Sequence, residues 1–196
     1  MKYTKLGKSD LTVSRICMGC MGFGDAKNGQ HSWTLDEENS RRIIRRGLEL
    51  GVNFFDTAIG YQGGTREQYL GRALNDFAKR QDVVVATKFL PRTAAEIEAG
   101  VSGQEHIQRS VDTSLKNLGM DYVDLYIYHM WDYETPLYDI IDGLNRIAKA
   151  VELSLSPEET AYLEEAYVPH RLVGVMAQNT PEASGQPHVW FSGKSR

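Results

Sequence analysis

The chain has 196 residues, 41% of them hydrophobic, and a formal net charge of −4, which suggests one domain, or one with an appendage, and enough apolar material for a core. Acids and bases are interspersed, which argues against a nucleic-acid surface, since that needs a basic patch. No apolar run approaches membrane-spanning length and Met1 leads into no signal core, so a soluble cytoplasmic protein with no membrane partner is expected.

Residues 2–14 read as a short polar hairpin turning at Gly7-Lys8. Residues 13–18 are the first buried strand. Cys17 and Cys20 could form a redox or half-metal motif. No second ligand pair accompanies them, so they are read as structural thiols and no metal is expected. Gly19, Gly22 and Gly24 come next, without the spacing of a dinucleotide fingerprint. Residues 36–50 form a helix with Ile43, Ile44, Gly47 and Leu48 on one face; Arg41, Arg42, Arg45 and Arg46 read as its solvated face. Residues 52–55 are the second strand. Thr65 and Gln68 form a predicted capping box, opening a helix that presents Leu70, Ala73 and Leu74. Residues 83–86 are the third strand, and Ser102 with Glu105 opens the next helix. Residues 122–128 are the fourth strand, and Thr135-Pro136 starts the fourth helix, cap then proline. Strand and helix alternate four times, which predicts an α/β fold with a parallel sheet covered by helices. After residue 150 the pattern breaks. Ser156-Pro157-Glu158-Glu159 caps a fifth helix, and 171–196 read as a mobile tail.

Four polar residues fall at or just past the strand ends: Asp56, Tyr61, Lys88 and His129. In a parallel α/β barrel those ends make the active face. A tyrosine has a reference pKa near 10, and a nearby ammonium would lower it. A carboxylate would hold the lysine, and a histidine could bond a carbonyl oxygen. The set suits a general acid protonating a carbonyl oxygen as hydride arrives. Each residue also has a plain reading. Asp56-Thr57 could cap a turn, Lys88 could snorkel, Tyr61 could pack in a loop, and His129 could be a satisfied structural histidine. Trp33 and Trp131 are open between lining a pocket and packing.

Asp56-Thr57-Ala58-Ile59-Gly60-Tyr61 resembles the D-T-A-x-x-Y signature of the aldo-keto reductases. Gly64-Thr65-Arg66-Glu67-Gln68-Tyr69-Leu70-Gly71 resembles the stretch after that signature, and Val85-Ala86-Thr87-Lys88 resembles the strand that carries the family's lysine. The block from Ser114-Leu115-Lys116-Asn117-Leu118-Gly119-Met120-Asp121 through Tyr126-Ile127-Tyr128-His129 is close to the family's most diagnostic segment. The resemblance covers about residues 1–150. It implies the first part of a (β/α)8 TIM barrel, about four βα units after the hairpin. It implies a tetrad of Asp56, Tyr61, Lys88 and His129 with Tyr61 as proton donor. It also implies NADPH as hydride donor and a small-molecule aldehyde or ketone as substrate.

The resemblance also implies a departure. The family's later strands carry most NADPH contacts, and these have no counterpart here, so no cofactor-binding residue is named. Residues 151–159 and 167–170 resemble the family's C-terminal end, as though the middle of the barrel were removed near Ala150-Val151. The expected organisation is therefore 1–150 as a partial barrel, 151–170 as a helical segment and 171–196 as the tail. An open half-barrel exposes strand edges and an apolar face. A homo-oligomer completing the barrel, a damaged product, or an omitted stretch are the explanations. The alternative to a reductase is a catalytically silent half-barrel or interaction module.

Overall fold

The computed structural model describes residues 1–29 and 31–148. The hairpin pairs β1 (Tyr3–Lys5) antiparallel to β2 (Thr12–Ser14). After it come β3 (Met18–Gly19), α1 (Glu37–Glu49), β4 (Phe54–Asp56) and α2 (Thr65–Phe77). The chain continues through β5 (Val84–Phe89), α3 (Ala94–Glu98), α4 (Gly103–Leu118), β6 (Leu125–Tyr128) and α5 (Leu137–Ile147). The sheet is parallel, in the order β3-β4-β5-β6. Each strand is followed by helix, as the alternation predicts. Two compact units are distinguished: Met1–Pro91 with Glu105–Trp131, and Arg92–Gln104 with the described residues 132–148. The junction at 150–151, the fifth helix and the tail lie outside the described residues.

Several boundaries differ from the sequence reading, each for a local reason. Val13 and Ser14 belong to the hairpin, because they pair with Thr4 and Tyr3, and the parallel sheet begins only at Met18. The capping box at Thr65 does not form. Thr65 Oγ1 instead donates to the Gln62 carbonyl at 2.8 Å and accepts from Asp25 N at 3.0 Å. The helix is capped by Gly64 at φ 84°, a left-handed conformation that glycine adopts without steric cost. A capping box forms instead at Thr93 and Glu96, opening α3, a helix the sequence reading does not include. Pro136 sits one position earlier than expected, as the N-cap of α5. The arginines of α1 are a solvated face: Arg41 pairs with Asp76, and Arg45 and Arg46 both reach Glu49.

The core lies between sheet and helices. Phe55 and Val85 from the strands meet Ile44 of α1, Leu70 and Leu74 of α2, and Leu118 at the end of α4. Strand residues alternate between faces, so Phe55, Val85, Thr87 and Phe89 point to the helices. Phe89 stacks on Tyr126 and Tyr128, with ring centroids 4.8 and 4.9 Å apart. The opposite face carries Phe54, Asp56, Val84, Ala86 and Lys88. All of Val84 to Thr87 is buried, as expected of a parallel strand covered on both faces.

Helix α2 reaches the end of α4 through Gly71. A Cβ there would lie 2.0 Å from the Leu118 carbonyl oxygen, a contact that only backbone movement can relieve. Gly71→Ala is expected to destabilise the chain by about 2 kcal/mol or more. Gly22→Ala, whose Cβ would meet nothing within 4 Å, serves as the control. Urea unfolding of both variants checks this; equal midpoints would show that α2 and α4 are not packed backbone to backbone.

Candidate active site

The carboxyl ends of β4, β5 and β6 bring the four singled-out residues to one place. Asp56 closes β4 opposite Ala86, and Lys88 lies two residues further on the same face of β5, opposite Ile127. Backbone pairing continues past the strands: Ile59 N donates to Lys88 O at 3.0 Å, and His129 N to Phe89 O at 2.9 Å. His129 therefore extends the face that holds Leu125 and Ile127. Lys88 Nζ donates to Asp56 Oδ2 and to the Thr57 carbonyl, each at 2.7 Å. The Tyr61 hydroxyl lies 3.3 Å from His129 Nε2, and Lys88 Nζ stands 5.5 Å from the Tyr61 ring centroid.

Tyr61 is held by an unusual turn. Tyr61–Gly64 form a kinked turn, within which Gln62 adopts φ 49° and ψ 47°. This left-handed conformation costs a non-glycine residue about 1 kcal/mol. The Gln62 side chain, 1% exposed, offsets that with bonds to the preceding loop. Its Nε2 donates to the carbonyls of Asp25 (3.0 Å) and His31 (2.8 Å), and its Oε1 accepts from His31 N at 3.0 Å. In the first turn of α2, Glu67 is fully buried. It accepts from Thr87 Oγ1 at 2.7 Å and from Asn117 Nδ2 at 2.9 Å, tying α2 to β5 beside Lys88 and to α4. Sequence reasoning assigns no role to Gln62, Arg66 or Glu67, because polar residues in a turn and a first helical turn read as solvated.

The electrostatics differ from the sequence reading in one respect. The sequence has Lys88 lowering the Tyr61 pKa. Burial raises it instead, and the Asp56 carboxylate adds to the rise; the cation opposing them is Arg66. The physical reason is that Lys88 is committed to Asp56 and Thr57. Tyr61 is therefore a protonated phenol at neutral pH. Burial and the Lys88 charge push the His129 pKa down, against a smaller opposing pull from Asp56, so its imidazole is neutral. His129 Nδ1 is buried without a hydrogen-bond partner among the described residues. A neutral phenol and a neutral imidazole side by side can donate to one carbonyl oxygen. Both cysteines are free. Cys20 is buried, but Cys17, just before β3, is largely exposed, contrary to the buried reading. Its thiol is pushed up to about 11 by partial burial and by Asp56, so it is protonated and unreactive at neutral pH. Trp33 stacks on His31 with centroids 4.9 Å apart, and Trp131 meets Tyr128 edge-on at 6.1 Å.

A sequence model described as the aldo/keto reductase family matches residues 15–178. The chain belongs to the aldo-keto reductase family. Norsolorinic acid reductase B from Dothistroma septosporum is 32% identical over 152 residues, covering 74% of this chain and 38% of that protein. A probable voltage-gated potassium channel subunit beta from Oryza sativa is 35% identical over 147 residues, covering 74% of this chain and 42% of that protein. Among solved structures, the holo form of the aldo-keto reductase AKR11C1 from Bacillus halodurans superposes with a TM-score of 0.62 at 36% identity. That match covers 76% of this chain and 47% of the other. The chain thus spans about half or less of the length of these aldo-keto reductase relatives. Its parallel sheet corresponds to part of their barrel. Among the described residues, no helix is long and apolar enough to cross a membrane.

The buried neutral His129 has a thermodynamic consequence. Its folded pKa lies below the ordinary 6.5, so as pH falls below 6.5 the unfolded chain takes up a proton that the folded chain resists. Stability is then lost as pH falls. His129→Gln is expected to flatten the acid limb of stability below pH 6.5, read by urea unfolding at stepped pH. An unchanged slope would mean that His129 titrates freely in the folded chain.

Proposed function

We propose that the chain reduces the carbonyl of a small aldehyde or ketone to an alcohol, with Tyr61 as general acid and NADPH as hydride donor. The observation that carries this is the Tyr61 hydroxyl held 3.3 Å from a neutral His129 beside the Lys88–Asp56 pair. Family membership supports the reaction class. The named relatives include reductases, and one of the similar structures is a holo form.

The donor set fits a carbonyl oxygen that gains negative charge. Tyr61 would give its proton to that oxygen, and His129 would orient the oxygen through a hydrogen bond. Lys88, fixed by Asp56 and the Thr57 carbonyl, would keep a positive charge at the strand ends. A bound nicotinamide cofactor would supply the hydride. No described residue is assigned to its phosphates, so the residues named here concern only the carbonyl and its proton.

Two measurements test the reading. NADPH fluorescence titrated with the full chain is expected to change at micromolar protein; no change would overturn the enzyme reading and favour the silent interaction module. Tyr61→Phe is expected to lower carbonyl reduction by about 100-fold or more while leaving the unfolding midpoint nearly unchanged. Retained activity would place the proton donor elsewhere.

A further inference from the structure

Arg66 is the largest fully buried side chain among the described residues. A buried guanidinium is costly unless its donors are met. Here only Nε is met, donating to the Phe23 carbonyl at 2.7 Å; Nη1 and Nη2 are buried without a partner among the described residues. No carboxylate among the described residues neutralises it. Its Cζ lies 4.7 Å from the centroid of the Tyr61 ring, placing the charge over the ring face. Cation and ring attract one another, the more so when both are desolvated. The position is fixed from both sides. Arg66 is anchored to the Phe23 carbonyl, and a Cβ on Gly24 would lie 2.9 Å from Arg66 Cγ. Tyr61 is fixed by the Gln62 turn.

We infer that Arg66 is a positioning residue for Tyr61: its buried guanidinium clamps the phenol ring against the strand ends and supplies the cation that steadies the developing phenolate. This rests on Tyr61 being the proton donor. The charged and titratable groups facing Tyr61 are Asp56 from β4, Lys88 from β5, His129 beyond β6 and Arg66 from α2; the Cys20 thiol is near enough to act on the Arg66 charge. Lys88 and Asp56 are paired with each other, which leaves Arg66 as the cation without a counter-charge. After Tyr61 gives up its proton, the phenolate would stand beside this cation in a water-poor site, where charges interact strongly. Burial pushes the Arg66 pKa down, yet the delocalised guanidinium keeps its charge through the range in which a tyrosine titrates.

The test reads Tyr61 directly and needs no activity, so it can fail separately from the reductase reading. The full chain carries 13C at tyrosine Cζ, and the Tyr61 resonance is identified by its loss in Tyr61→Phe. Its titration midpoint is expected to rise by about one unit in Arg66→Met and to return most of the way in Arg66→Lys. A folded Arg66→Met with a midpoint within about 0.2 unit of the parent overturns the proposal. Should Arg66→Met not fold, the parent decides the matter. The Arg66 Nε–H resonance is expected to move with the Tyr61 midpoint, and an Arg66 resonance that ignores the ionisation of Tyr61 overturns it.

Discussion

The register of one parallel ladder, β4 against β5, governs what the strand ends can do. Asp56 pairs with Ala86, so Lys88 emerges one pleat beyond the carboxylate on the same face. A slip of one residue would send Lys88 to the helix side, where Thr87 now meets Glu67. The register is held by burial on both faces. Phe55 and Val85 are enclosed by α1 and α2, while Val84 and Ala86 are covered on the other side. A slip would expose apolar residues and bury an unpaired ammonium, and both cost free energy.

The second constraint is a chain of buried polar groups running from the core to Tyr61. Glu67 is wholly buried but has two donors, Thr87 and Asn117, so its carboxylate is satisfied and α2 is fixed to β5 and α4. Arg66, its neighbour in sequence, is turned towards Tyr61. Gln62 fastens the turn to the loop before α1. Tyr61 lies on a loop, and the polar side chains that flank it, Gln62 and Arg66, bond to the segment before α1.

Charge at the strand ends nearly cancels, leaving the Arg66 guanidinium over the Tyr61 ring as the cation without a counter-charge. Asp56 and Lys88 cancel, His129 is neutral and Tyr61 keeps its proton. An uncharged oxygen can approach such a site without being repelled. The Cys17 thiol stays protonated at neutral pH.

The sequence by itself determined the alternation of four strands with α1, α2, α4 and α5, because strands buried on both faces read as near-continuous apolar runs and helices show a 3.6-residue apolar pattern. It also determined that Asp56, Lys88 and His129 would stand at strand ends, since a parallel sheet brings those ends together. Short-range chemistry misled where a side chain had a better long-range partner. Thr65 bonds the Gln62 carbonyl and Asp25 instead of capping its helix, whereas the expected pair of Lys88 with Asp56 does form. Only the tertiary structure decided that Gln62, Arg66 and Glu67 are buried, because a polar residue in a helix's first turn carries no local mark of what will later cover it. Burial belongs to the packing of α2 against the sheet and α4, and that packing is set by residues distant in the chain.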